Sequence, residues 1–302
     1  MRNALVVLAI IAPAIGAARA DEKSLQDRVA PLVKAHKGKV AIAVKHLDKS
    51  ESFFLDADEV MPTASLIKFA VMLEVYQQVL EGKLKLGDLV TLRESDKVPG
   101  SGILTYHFSD GATFSLRDAV RLMIAFSDNT ATNLVLDKIG IGATATRMEA
   151  WGFPHTKIHA KVFKGSTTSV YPERTKKYGL GSTTAREIVQ LLEKVHDGKI
   201  VSPEACKEMI EHLKKCEDKD KLKRLLPAGV VVAHKSGSVT DVKTDAGIIY
   251  TRGGPVAVCV LTAENADKAW KSDNAANILI GRVGLEVYNH FSGKKADDRR
   301  KP

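Results

Sequence analysis

Cysteine, clustered metal ligands and long apolar runs are all scarce in this chain. With three cysteines in 302 residues, Cys206, Cys216 and Cys259, at least one thiol stays unpaired. Cys206 and Cys216 fall on one predicted helix, where ten residues of 1.5 Å rise hold them ~15 Å apart, beyond the span of a disulfide. No disulfide is expected. No Cys or His sits in a zinc spacing, and an isolated histidine such as His46 or His234 is more often structural than ligating, so neither metal nor cofactor is expected. The apolar run Ala4–Ile15 is well short of the ~20 residues of a spanning helix, which argues against integral contact with a membrane. Zinc-finger and RNA-recognition patterns are missing too, and lysine and arginine are scattered, so nucleic acid is not an expected partner.

The first twenty residues carry an early charge at Arg2, the apolar run, and a small-residue stretch ending Ala18-Arg19-Ala20. That is the layout of a secretory signal, with cleavage expected near Ala20 and no cysteine there to take a lipid. Its removal deletes Arg2 and Arg19 and no acid, lowering the formal charge of +9 by two. The remaining basic excess serves solubility or loose attraction to acidic envelope polymers. A secreted or periplasmic soluble protein is expected.

Beyond the leader, Ser24–Lys37 has a helical apolar period, and Val40–Leu47 and Ser52–Leu55 form β-rich runs joined by the polar turn Asp48-Lys49-Ser50. From Leu66 to about Leu226 the periodicity is mostly helical: Phe69–Leu80, Leu116–Phe126, Ala131–Ile139, Thr184–His196 and Pro203–Lys215. Strand patterns return at Val230–His234, Ala246–Tyr250 and Val256–Leu261, and a last helix is predicted over Ala275–Tyr288. The expected fold is α+β, a three-layer α/β/α sandwich. Its five-stranded antiparallel sheet comes from both chain ends (21–64 and 227–291), with an all-helical lobe (65–226) inserted. Ser292–Pro302 is charged and apolar-poor and is expected to be a disordered tail. A ligand cleft is expected between sheet and lobe.

Three short motifs carry the candidate chemistry: Ser65-Leu66-Ile67-Lys68, Ser127-Asp128-Asn129 and Lys235-Ser236-Gly237. None is specific alone, since Ser292 with Lys295, and Ser272-Asp273-Asn274, repeat two of them. Context separates the copies. Ser65 opens a strongly apolar helix, so Lys68 lies one turn on, on the same face, where its amine can reach the hydroxyl. Partial burial lowers a lysine pKa and leaves a neutral fraction able to take the serine proton. The plainer alternative is an N-cap serine and a surface lysine. Ser127 and Asn129 sit between two helical patterns, where a crossing loop can project both into a cleft; helix capping is the alternative, and it is accepted for Ser272-Asp273-Asn274. Lys235-Ser236-Gly237 ends an apolar strand, a cation to draw a carboxylate and a glycine to let a ligand lie alongside. A sheet-edge lysine followed by a turn is its alternative.

In this order and these contexts the motifs resemble those of the class A β-lactamases and their penicillin-binding relatives, over roughly Lys39–His290. Pro99–Leu104, Thr130–Asn133 and Gly181-Ser182-Thr183-Thr184-Ala185 are similar to family sequence as well. The resemblance implies Ser65 as nucleophile, Lys68 as its base, and Ser127 with Lys235 as the proton path to the leaving nitrogen. It further implies that Ser65 and Ser238 lend backbone N–H groups to an oxyanion hole, that Asn129 holds the substrate amide, and that Ser236 with Lys235 receives its carboxylate, with Gly237 leaving room for the substrate alongside. The substrate is then a β-lactam or a peptidoglycan stem peptide, handled by a monomer without cofactor. Two departures stand out. Lys161–Leu180 has no Glu-x-x-Leu-Asn, the family setting of the deacylating glutamate; its sole carboxylate, Glu173, is the candidate base, with a surface role as the alternative. Ala246 replaces the arginine that many class A enzymes use for the substrate carboxylate. A D,D-peptidase or esterase on the same scaffold, and a penicillin-binding module without turnover, remain the competing readings.

Overall fold

The structure, a computed structural model, describes residues 24–293; the predicted leader and residues 294–302 of the predicted tail lie outside the described residues. Five antiparallel strands form the main sheet in the spatial order Ser52–Leu55, Lys39–His46, Gly254–Ala263, Val242–Thr251, Val232–Val239. Alternation along each strand sorts its side chains to two faces. Val40, Ile42 and Val44 join Val256, Val258 and Val260 beneath the helices Leu25–Ala35 and Ala275–Ser292. Ala41, Ala43, Ala257, Cys259 and Leu261 face the opposite way, into the core shared with the helical lobe. Both faces are covered, which is why these strands read as nearly unbroken apolar runs rather than alternating ones. The three layers, helix, sheet and helix, are those expected of an α+β sandwich.

The lobe is built around Lys68–Leu80, whose residues from Lys68 to Tyr76 are all buried. A helix apolar on every side sits inside its lobe rather than on it, and that places its N-terminal end, with Ser65, at the boundary with the sheet. The lobe is not all-helical. Leu89–Thr91 pairs with Thr113–Ser115, and Gly181–Thr183 pairs with both Met61–Pro62 and Lys157–Ile158. These pieces of two or three residues are too short for periodicity to register.

Other expectations need correcting. Val232–Val239 runs on through Lys235, Ser236 and Gly237, so the third motif lies within a strand and not at its end. Polar side chains there face the cleft, which broke the apolar pattern. Cys216 lies past the helix Pro203–Lys214; all three cysteines are free and buried. The closing helix reaches Ser292, one residue into the expected tail. Asn274 caps that helix, accepting from the Ala276 N–H, so the second Ser-Asp-Asn is a cap as read. Among the described residues no helix is long and apolar enough to cross a membrane.

Candidate active site

Ser65 is not a helix cap. It lies inside a 3-10 turn, Ala64–Ile67, that runs directly into Lys68–Leu80, and no side-chain cap bond is made at either start. Ala64 holds a left-handed φ of 47°, a strained setting for a residue with a Cβ. The strand Val232–Val239 presses on this turn. A Cβ on Gly237 would lie 2.4 Å from the Thr63 carbonyl oxygen and 2.8 Å from the Leu66 nitrogen. Gly237 is therefore required by the approach of backbone to backbone, where the sequence suggested only room for a ligand. Thr244 on the neighbouring strand donates to the same Thr63 carbonyl at 2.8 Å, which pins the turn to the sheet.

The second motif reaches the cleft by a sharp reversal: Ser127 has φ 52°, and Asp128 caps the helix Asn129–Ile139 by accepting from the Ala131 N–H. The other Asp128 oxygen accepts from the Ile103 and Leu104 N–H groups at 2.7 and 2.9 Å. The Asn129 amide donates to the Pro99 carbonyl, and its backbone N–H to Ser101. This is the physical reason that Pro99–Leu104 accompanies the motif: Asp128 and Asn129 hold that loop against the cleft.

Lys68 and Lys235, from two different elements, converge on Ser127. Lys235 Nζ donates to Ser127 Oγ at 3.0 Å and to the Ser236 carbonyl at 2.6 Å. Lys68 Nζ donates to the Ser127 carbonyl at 2.7 Å, to Asn129 Oδ1 at 2.8 Å and, at the longer 3.3 Å, to Ser127 Oγ. No hydrogen bond joins Lys68 to Ser65 in this state; the three acceptors are all on the second motif. Burial, then the charge of Lys235, pushes the Lys68 ammonium well below the ordinary lysine value, against the opposing pull of Asp128. Burial also lowers Lys235, with nearby acidic groups partly restoring it.

A cleft of about 1100 Å³ opens beside these groups. Ser65, Ser127, Asn129, Lys235, Ser236, Gly237 and Ser238 all line it; Lys68 is buried behind that lining and joins it through Ser127 and Asn129, so the predicted residues are brought together with one exception. Glu173 is that exception. It lies exposed near the start of the helix Pro172–Tyr178 and does not line the cleft. The wall from that side is Ala160, Lys161, Val162, Phe163, Gly165 and Thr175, without a carboxylate. Val162 is clamped there: Asn133 Nδ2 donates to its carbonyl at 3.0 Å, and its N–H donates to Asn133 Oδ1 at 2.8 Å.

Two features of the site escaped the sequence. Asn133 as the clamp on Val162 joins residues 29 apart, which no local pattern signals. Asp218 enters the cleft from the charged run Glu217-Asp218-Lys219-Asp220-Lys221, which reads as a solvated loop, yet its Oδ2 accepts from Ser236 Oγ at 2.7 Å. Behind the cleft His234 pairs with Asp245 at 2.9 Å, both fully buried, a structural role as expected of a lone histidine.

Known proteins are similar to this chain in sequence and fold. A family profile described as the beta-lactamase enzyme family matches residues 23–291. The extended-spectrum beta-lactamase PER-1 of Pseudomonas aeruginosa is 25% identical over 286 residues, covering 90% of this chain and 88% of its own. The crystal structure of a beta-lactamase from Sphaerobacter thermophilus superposes with a TM-score of 0.76 at 30% identity, over 87% of this chain and 96% of that one. A mutant of PBP-A, solved as an acyl-enzyme complex with penicillin G, gives 0.74 at 25% identity, over 88% and 96%. With nearly all of its described residues inside the profile and its strands, lobe and cleft matched by solved relatives, the chain belongs to the beta-lactamase enzyme family.

Proposed function

We propose that this chain is a serine β-lactamase that opens the lactam amide through an acyl-enzyme on Ser65. The observation that carries the reading is Ser127, whose hydroxyl accepts a hydrogen bond from Lys235 and lies 3.3 Å from Lys68 Nζ in the cleft that Ser65 lines. A neutral Lys68 keeps two protons, enough for its two short contacts with the Ser127 carbonyl and Asn129. Its lone pair is left for the Ser65 proton.

Ser65 Oγ then bonds to the lactam carbonyl carbon as its proton passes to Lys68. The backbone N–H groups of Ser65 and Ser238 receive the developing oxyanion, an interaction typically worth about 3–4 kcal/mol. The C–N bond breaks, Ser127 gives its proton to the nitrogen, and Lys68 returns one to Ser127. Lys235 stays charged and steadies the Ser127 oxygen through the exchange. Asn129 is tied to Lys68 and Pro99 in the free protein, so it meets a substrate amide only after giving up one of these bonds.

A second reading is favoured by one observation, the wall around Val162 that lacks a carboxylate. Without a base there, water attacks the ester slowly, and the enzyme discharges as a penicillin-binding peptidase or esterase does. The leader-like Met1–Ala20 supports export, with the region 21–291 delivered to the periplasm or beyond. A stopped time course with a chromogenic cephalosporin separates the readings. Turnover sustained over many equivalents is the β-lactamase result; one equivalent of colour followed by a flat trace assigns the slow-discharging alternative.

A further inference from the structure

The hydrogen-bond donors that the family resemblance assigns to a substrate carboxylate already have an occupant. Ser236 Oγ has one proton, and it is given to Asp218 Oδ2 at 2.7 Å. The same oxygen accepts from Lys221 Nζ at 2.6 Å, and Asp218 Oδ1 accepts from the Asp220 N–H at 2.9 Å. Lys235 has turned two of its donors to Ser127 and Ser236. Lys221 is buried and its charge is matched by Asp218. On the neighbouring strand the residue paired with Lys235 is the buried Ala246, which adds no cation. Glu217, Lys219 and Asp220 line the same wall, two acids to one base.

An incoming carboxylate at Ser236 thus meets oxygen lone pairs where it needs a proton, and a like charge within one hydrogen bond. To bind there it must break the Ser236–Asp218 bond and leave Asp218 with less compensation. An amide N–H, an ammonium or a neutral ester meets no such repulsion, and the first two can donate to the oxygens present. Repulsion of one ligand class is as effective a source of specificity as attraction of another. Resting on the acyl-enzyme reading above, we propose that Asp218 is a specificity-determining residue. It selects acyl donors whose leaving-group side carries no carboxylate: uncharged esters and amides, or groups bearing an amine.

The test compares benzylpenicillin with its methyl ester, which share one lactam and differ in this charge. Acylation rates are read by intact mass of the full-length protein and of Asp218→Asn, which keeps the shape and removes the charge. The wild-type protein is expected to react with the ester at least as fast as with the acid, and Asp218→Asn to raise the acid-to-ester ratio about tenfold. A wild-type preference for the acid, or an unmoved ratio in a folded Asp218→Asn, overturns the assignment. Should the variant not fold, the wild-type ratio alone decides. If both probes neither label the wild-type protein nor are hydrolysed by it, the acyl-enzyme itself is removed and this inference with it.

Discussion

Protonation of Lys68 governs the proposed chemistry, and it leaves a pH signature. Lys68 acts as a base only when neutral, and burial beside Lys235 lowers its pKa well below the 10.5 of a free lysine. Acylation is therefore expected to rise with pH through an inflection far below 10.5, and Lys68→Ala to lose about 10²–10⁴ in acylation rate, the range of general-base catalysis. A stopped-flow profile of acylation against pH checks both. The companion prediction concerns Val162, held into the cleft by Asn133 where no carboxylate faces the substrate. Val162→Glu is expected to raise steady turnover of a penicillin by at least ~10-fold while leaving Ser65 the site of attachment. Unchanged turnover in that variant would mean that water reaches the ester from another side. Both arguments are about single groups, and only one was open to sequence reading: Lys68 announces itself by its place in an apolar helix, whereas Val162 is one more valine until Asn133 is seen to grip it.

Among the secondary-structure elements, the contact between the strand Val232–Val239 and the turn Ala64–Ile67 sets Ser65, the proposed nucleophile, against Ser238 of the proposed oxyanion hole. Gly237→Ala would drive a methyl group to 2.4 Å from Thr63 O, so strand and turn must part. Acylation is expected to fall by on the order of 10²-fold, the scale set by a misplacement of about 1 Å, with a smaller change in melting temperature. Circular dichroism and the acylation assay together read the two effects. The long elements were legible because their faces are buried: the helix Lys68–Leu80 and the strand Gly254–Ala263 both show it in their apolar runs. The paired fragments around Gly181–Thr183 were not, since two or three residues carry no period and are held by neighbours distant in sequence. The third motif lies within a strand where the sequence pattern points to a strand end, because Lys235 and Ser236 interrupt the apolar run at the point where the strand turns polar side chains to the cleft.

For the molecule as a whole, stability and catalysis meet at the sheet. His234 and Asp245 form a buried pair on adjacent strands, and Asp245 also receives the Leu222 N–H at 3.0 Å, tying the lobe's last segment to the sheet. Burial alone would lower His234, but Asp245 and Cys216 outweigh it and hold it up to about 10, above its ordinary 6.5. A histidine raised on folding stabilises fully below its unfolded pKa and loses that contribution as pH climbs through the folded one. Asp245→Ala is expected to cost about 3–5 kcal/mol in urea denaturation at pH 6, the price of stranding a buried charge. The gap to wild type is expected to narrow as pH rises from 6.5 towards about 10. The layered plan was readable from the order of strand pair, helical insert, three strands and helix. The contact of Asp218 with Ser236 was not, because the two are 18 residues apart and meet only in the folded chain.

The most direct measurement of the central claim is a peptide map of the protein after brief exposure to benzylpenicillin. A penicilloyl group on the peptide that contains Ser65, absent from Ser65→Ala, is the result predicted. Label on any other residue, or an adduct that persists in Ser65→Ala, would contradict the account.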